Sequence, residues 1–378
     1  MRVSLANSGR DFIAARGQSV LDAALSSGLN LPHSCKSGNC SSCRARLLAG
    51  EIEYPFGKPL GLSDAEVAAG FILMCQARAR ADITIETLEI HPAHEITIKR
   101  LPCRIERTAP LSHDVMALYL RLPAAEDFRF QAGQYIDVML DGGRRRSFSI
   151  ASPPHASRPL ELHVRRVAGG EFTERLFGAS AQNTLLTIEG PLGQFTYRQT
   201  EAPILMVGGG TGLAPLLCML RHSIENGIER DIMLYWGVRA ERDLYAQAAL
   251  AALAERSAGF RYVAVLSEPP SQWNGRRGLV PDAVLADYRT LEGHDIYASG
   301  PPAMIDAVRS EFCKRGAAPE RLYFDSFDYA PDALERIHQR LIFGRFGYHQ
   351  RRAEAECLHF GKHTLARQEP VQIRQAPK

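Results

Sequence analysis

The chain changes its hydrophobic rhythm three times. Up to about Ile90, apolar positions come in short groups. Ser19-Val20-Leu21-Asp22 reads as the capped start of a helix that Gly28 ends, and ADITIETLEI (residues 81–90) alternates apolar and polar residues as a half-buried strand does. Between about 98 and 200 the pattern is strand and turn throughout. DVMALYLRL, GQYIDVML, RRRSFSIAS, PLELHVRRV and NTLLTIEG are short β-rich runs spaced by Pro and Gly, which predicts a small antiparallel barrel. From about 201 to 329 strands alternate with helices. PILMV, a helix from Leu213, DIMLYWGV, an Ala-rich helix at 246–255, FRYVAVLSE, DIYASG, a helix from Ala303 and RLYFDSF predict a parallel sheet covered by helices. After Ala330 no clean period holds. The expected organisation is therefore 1–92, 98–200, 201–329 and an extension from 330 to 378.

Composition agrees with several modules. With 378 residues, 45% of them hydrophobic, the chain is too long for one core and sufficient for two or three. Its 45 basic and 42 acidic residues are interleaved and leave a net charge of +3, so neither a nucleic-acid nor a membrane footprint is expected. The extension is locally basic and carries four of the twelve histidines; it reads as a loosely ordered tail rather than a docking element. Eight dilute cysteines, and an N-terminus MRVSLANSGRDF without a basic-then-apolar leader, point to the cytoplasm. The charge-free stretch from Ala202 to Leu220 has the length of a membrane span, but four glycines and two prolines argue for strand, turn and helix.

Three of the cysteines fall within CKSGNCSSC, residues 35–43. Cys35-x4-Cys40-x2-Cys43 has the spacing of a plant-type [2Fe-2S] loop, and Cys75, in FILMCQARARADITIE, supplies a fourth thiolate. The competing reading is zinc, which more often pairs two C-x2-C corners. Gly38, Asn39 and the small Ser37, Ser41 and Ser42 suit a loop whose backbone N–H groups approach bridging sulfides, which favours the cluster. Cys103, Cys218, Cys313 and Cys357 are isolated and read as packing residues.

Four further motifs carry candidate binding residues. In RRRSFSIAS, Arg146 offers a planar fork for a phosphate, Phe148 a ring to lie against a flavin, and Ser149 a hydroxyl for the flavin's hydride-accepting nitrogen. VAGGEFTERL places Gly170 and Thr173 at a helix start, where backbone N–H groups meet a pyrophosphate. VGGGTGLAP follows a strand and opens a helix. Gly209, Gly210, Thr211 and Gly212 then suit a phosphate-cradling turn, although Pro215 stands where a dinucleotide fingerprint has its third glycine. A glycine-rich turn with no ligand is the bland alternative. YASGPPAM ends a strand of the parallel sheet, the position at which such sheets bind ligands.

The first block resembles a plant-type ferredoxin domain, with GQSVLDAALSSGLNLPHSC, the cysteine loop and LMCQ in that family's order. RRRSFSIAS, the later Gly-Gly-x-x-Thr and GPLGQF resemble the flavin barrel of the ferredoxin–NADP reductase superfamily, and GTGLAP resembles its nicotinamide-nucleotide site. The resemblance covers residues 1 to about 329. It implies a β-grasp ferredoxin, an antiparallel flavin barrel and an α/β nucleotide domain, with a [2Fe-2S] cluster on Cys35, Cys40, Cys43 and Cys75, FAD rather than FMN, and NADH or NADPH. It also implies that Ser299 stands where the family has a cysteine beside the nicotinamide, followed by Gly300 and Pro301, and that Asp325 and Phe327 lie near the flavin. Ser149, Ser299 and Asp325 are the expected catalytic residues.

The implied activity is electron transfer from NAD(P)H through FAD and the cluster to a partner protein, as in oxygenase reductase components and deoxysugar dehydrase reductases. A stand-alone flavin or dye reductase with a vestigial cluster, and a non-enzymatic iron–sulfur module, are the alternatives. After YWGV, Arg239 and Arg242 would favour the 2′-phosphate of NADPH and Glu241 and Asp243 would oppose it; NADH is favoured.

Overall fold

The computed structural model describes residues 1–29, 31–34, 36–39, 41–87, 96–167, 170–178, 181–327 and 371–375. The chain divides into two compact units. One comprises residues 1–94 with 338–378, the other residues 95–337.

The first unit contains β1 (Arg2–Leu5), β2 (Asp11–Ile13), α1 (Val20–Ser26), β3 (Arg44–Tyr54), α2 (Asp64–Ala68), β4 (Phe71–Leu73), β5 (Arg78–Ala79) and β6 (Ile83–Glu86). The N-terminal strand β1 runs parallel to β6 and antiparallel to β2, β3 pairs antiparallel with β6, and β4 and β5 both pair with β3. This mixed β-grasp sheet packs α1 against Val3, Leu5, Leu47, Ile52 and Ile72, all buried. Ser19 caps α1 by accepting from Asp22 N at 3.1 Å, as its sequence indicates. The strand expected over 81–90 is formed at Ile83–Glu86; residues 88–90 lie outside the described residues.

The second unit begins with a barrel: β7 (Lys99–Pro110), β8 (Val115–Arg121), β9 (Tyr135–Met139), β10 (Arg145–Ser149), β11 (Leu160–Arg165), α3 (Glu171–Leu176) and β12 (Leu185–Leu192). Its strand order is β10-β9-β12-β7-β8-β11, and all pairs are antiparallel. An antiparallel bridge between Ile150 and Leu162 joins the two ends of that order. The barrel shares an apolar core with one face of the sheet that follows, where Phe195, Leu213, Leu217 and Trp236 meet Ile136, Ile150 and Leu162.

That sheet contains β13 (Ile204–Gly209), α4 (Leu213–Glu225), β14 (Ile232–Val238), α5 (Gln247–Arg256), β15 (Phe260–Leu266), β16 (Arg276–Arg277), α6 (Val280–Asp287), β17 (Asp295–Gly300), α7 (Pro302–Lys314) and β18 (Leu322–Ser326). It is parallel throughout, in the order β16-β15-β14-β13-β17-β18. Successive strands run outward from β13 to one side, then the chain crosses to β17 on the other. The crevice at the carboxyl ends of β13 and β17 is thus the topological switch point. The apolar stretch 202–220 is divided between β13, a tight turn and α4, and among the described residues no helix is long and apolar enough to cross a membrane.

At the opposite end of β17, Asp295 is buried with Arg230 at 2.8 Å and Arg321 at 2.9 Å, and accepts from the Thr200 hydroxyl. Burial alone would raise its pKa; Thr200, Arg321 and Arg230 outweigh that and hold the carboxyl below the usual range. Beyond β18, residues 371–375 form β19 (Val371–Gln375), antiparallel to the far half of β3.

Candidate functional site

In the first unit the cysteine loop is shaped by backbone geometry. Lys36, Gly38 and Ser41 all have positive φ, at 55°, 83° and 59°. At Gly38 a Cβ would meet Gln76 Cγ at 2.8 Å, so both conformation and space require glycine there. Gln76 Nε2 donates to Lys36 O at 2.8 Å and Gly61 N to Gly38 O at 2.9 Å, while the Ser41 hydroxyl donates to Gly61 O. Two of these bonds end on loop carbonyls and the third starts from a loop hydroxyl.

Cys43 and Cys75 are both buried, and Met74 N donates to Cys43 O at 3.0 Å, which brings the two candidate ligand segments together. Tyr54, at the end of β3, accepts from Leu73 N at 2.9 Å; burial and the neighbouring Cys43 and Cys75 push its phenol above the ordinary value. Cys35 and Cys40 lie outside the described residues. Buried cysteines on two bridged segments, and a loop with no room for a Cβ at Gly38, fit a [2Fe-2S] cluster. Cys103 and Cys218 are different: burial in apolar surroundings pushes each thiol up to about 12. Cys357 lies outside the described residues.

In the second unit the expected residues come from five elements. Strand β10 carries Arg146 and Phe148, half-buried, and the buried Ser149. Arg144 pairs with Glu171 at 2.7 Å and Arg145 with Glu189, whereas Arg146 Nη1 donates to the Arg145 carbonyl at 2.8 Å. Phe148 packs on Phe172 of α3, ring centroids 5.5 Å apart. Gly170 caps α3 without a side chain, and Thr173 is turned inward. Its hydroxyl accepts from Val167 N and contacts the carbonyls of Val167 and Gly170, at 3.1–3.2 Å, so it fixes the turn's shape.

Ser149 Oγ donates to Asp325 Oδ2 at 3.2 Å, joining the barrel to the last strand of the parallel sheet. Within that sheet Asp325 stands beside Ser299, and Ser299 beside Gly208. Ser299 is fully buried, and among the described residues neither its hydroxyl nor that of Ser326 has a hydrogen-bond partner. Buried hydroxyls without partners are costly in a finished core and ordinary in a site built for a ligand. Phe327, half-buried, donates its N–H to Gly300 O at 3.0 Å.

The glycines of the switch point are required by close approach. A Cβ on Gly212 would lie 2.1 Å from the Ser299 carbonyl oxygen, one on Gly209 would lie 2.9 Å from Pro301 Cδ, and one on Gly300 would lie 2.6 Å from Met304 Cε. Gly210 has φ +57°, and its carbonyl accepts from Trp236 Nε1 at 2.9 Å. Thr211 lies in the same one-turn segment ahead of α4. This Gly-rich turn and the unpartnered hydroxyls fit a flavin meeting a nicotinamide nucleotide between barrel and sheet.

Sequence reasoning passed over two residues here. Arg165, at the end of β11, sits over Gly210, where a Cβ would lie 2.9 Å from its Nη1, and its Nε is 3.3 Å from Asp114. Asp114 also lies 3.7 Å from Arg239. The Arg-rich end of β11 was the available signal for the first; none in the sequence ties Asp114 to Arg239. Of the coenzyme-choice residues, Glu241 and Arg242 are exposed. Asp243 is buried, 3.6 Å from Arg239, and accepts from Ala240 N.

Three family descriptions match the chain: a 2Fe-2S iron-sulfur cluster binding domain over residues 3–80, an oxidoreductase FAD-binding domain over 102–197, and an oxidoreductase NAD-binding domain over 206–310. The CDP-6-deoxy-L-threo-D-glycero-4-hexulose-3-dehydrase reductase of Yersinia pestis is 36% identical over 86% of this chain and 98% of its own length. The xylene/toluene monooxygenase electron transfer component of Pseudomonas putida is 34% identical over 87% of this chain and 94% of its own. Among solved structures, an Amycolatopsis cytochrome P450 reductase superposes with a TM-score of 0.71 at 35% identity, covering 86% of this chain and 98% of that one.

Proposed function

The chain belongs to the family of iron–sulfur flavoprotein reductases that carry a ferredoxin module ahead of FAD- and NAD-binding modules, and on that premise we propose which of its residues do the work. It is an oxidoreductase that moves electrons from NAD(P)H to a partner protein. When bound, FAD accepts a hydride and releases electrons one at a time, and the [2Fe-2S] cluster carries them onward.

Cys35, Cys40, Cys43 and Cys75 hold the cluster. Arg146 pairs with a flavin phosphate, while Phe148 covers the ring against the α3 side. Gly170 and Thr173 shape the turn that faces the pyrophosphate. Gly209 to Gly212, with Gly300 and Pro301, admit the nicotinamide nucleotide by backbone approach. Ser149 and Asp325 orient the reacting ring edge, Ser299 seats the nicotinamide and Phe327 borders it. The observation that carries this reading is the buried contact of Ser149 with Asp325 beside an unpartnered Ser299 hydroxyl, since it unites a barrel strand with the switch point of the sheet.

Arg239 faces both Asp114 and Asp243, which lessens its attraction for a 2′-phosphate, so NADH is the preferred coenzyme. The acceptor is an oxygenase or deoxysugar dehydrase component, the classes that the relatives' names give. We propose the cytoplasm as its setting, a reading supported by the nicotinamide donor and by eight cysteines spread thinly over the chain. An anaerobic NADH titration followed by absorption tests the scheme. Overlapping flavin and [2Fe-2S] bands that bleach together are expected; a protein without the iron–sulfur bands would remove the one-electron half.

A further inference from the structure

We propose that β19 is a charge-registered clasp on the iron–sulfur module, and that its hold on β3 sets how long the cluster is retained; the second clause rests on the cluster assignment above. The far half of β3 is set apart from the near half. A register shift at Leu47/Ala49 and a positive φ at Gly50, where a Cβ would lie 2.4 Å from the Asp82 carbonyl, mark the break between them. Beyond this point β3 pairs with β5 at residues 52–53 and with β19 at residues 50–54. Without β19, one row of backbone N–H and C=O groups on residues 50–54 would be an open sheet edge.

The register of β19 matches that edge residue by residue. Val371 stands opposite Tyr54, Ile373 opposite Ile52 and Arg374 opposite Glu51. Glu53 already pairs with Arg80 at 2.7 Å, and the residue opposite it is the neutral Gln372. In this register apolar residues stand opposite apolar ones, and the basic Arg374 stands opposite the acidic Glu51. A slip of one residue would set Arg374 opposite the fully buried Ile52 and lose every match. This is strand addition, in which backbone bonds supply affinity and alternate side chains supply specificity.

Its position links it to the cluster. Val371 pairs with Tyr54, whose hydroxyl holds Leu73 N two residues before Cys75, and the adjacent Met74 N holds Cys43 O. Fraying of the far half of β3 would release Tyr54, and with it the segment that brings Cys75 to the loop. The matched reductase of known structure is aligned over 98% of its length to 86% of this chain, so this chain has sequence to spare, and the family matches end at residue 310, well before β19.

The test uses the full-length holoprotein with Arg374→Glu, Glu51→Arg and the double exchange. Amide hydrogen exchange is followed at residues 50–54 and 371–375, and cluster loss by bleaching in the presence of an iron chelator. Each single variant should exchange roughly two- to five-fold faster in both segments, the range for one cross-strand charge pair, and bleach faster. The double exchange should restore both. Exchange at residues 50–54 that ignores all three variants overturns the clasp, and exchange that responds while bleaching does not overturns the link to retention. If the protein held no cluster, the hydrogen-exchange arm would still decide the clasp, separating its failure from that of the cluster assignment.

Discussion

The cysteine loop and the flavin–nicotinamide crevice are built on opposite plans. The loop is local: three cysteines, three positive-φ residues and a glycine with no room for a Cβ lie within nine positions, and one distant segment, Cys75-Gln76, closes on it. The crevice is non-local. Ser149, Gly208, Ser299 and Asp325 come from β10, β13, β17 and β18, and strand register together with one buried hydrogen bond brings them side by side. Damage to a local site should therefore stay local, whereas the crevice should fail from positions far from its chemistry.

The largest effect should come from the far end of β17. Asp295→Ala leaves Arg230 buried without its carboxylate, a loss of about 3–5 kcal/mol. Chemical denaturation should show the second unit unfolding at lower denaturant, with the transition of the iron–sulfur unit unmoved. A joint shift of both transitions would break the comparison. Next comes Arg146→Ala, which removes the charge-assisted phosphate bond proposed for this residue, a loss of about 1.5–3 kcal/mol. FAD affinity measured by flavin fluorescence should fall by one to two orders of magnitude, while the iron–sulfur absorption stays.

Smaller effects sharpen the picture within the crevice. Ser299→Cys should raise the rate of flavin reduction in stopped flow a few-fold with coenzyme affinity nearly unchanged, because a larger atom holds the nicotinamide closer to attack geometry. An unchanged rate removes Ser299 from the catalytic residues. Asp114→Asn takes one of two carboxylates from Arg239 and should raise kcat/KM for NADPH relative to NADH by a factor of a few. No change in that ratio would take Asp114 out of coenzyme choice.

The same contrast explains what the sequence made legible. Spacing named Cys43, and the need for a fourth thiolate named Cys75, because a loop that fits a cluster writes most of its geometry into consecutive residues. Alternation gave the barrel strands, and the strand–helix rhythm gave the parallel sheet with its Gly-rich turn. Ser149, Ser299 and Asp325 were named through motifs, but their meeting depends on which strands neighbour one another, and periodicity does not encode that. Thr173 was expected to face a pyrophosphate; its hydroxyl is used inside its own turn. Asp114 escaped notice because its partner Arg239 is more than a hundred residues away. β19 escaped because VQIRQ is too short to signal a strand without the β3 edge it pairs with.

The central claim is that electrons leave NAD(P)H through the crevice and reach a partner protein through the loop. Cys43→Ser tests it most directly, with ferricyanide and cytochrome c reduction measured side by side under NADH. Since the crevice is untouched, ferricyanide reduction, which draws on the flavin, should survive, and cytochrome c reduction should be nearly lost. Full cytochrome c activity in a variant that has lost its iron–sulfur absorption would contradict the account and leave a flavin reductase with a bystander cluster.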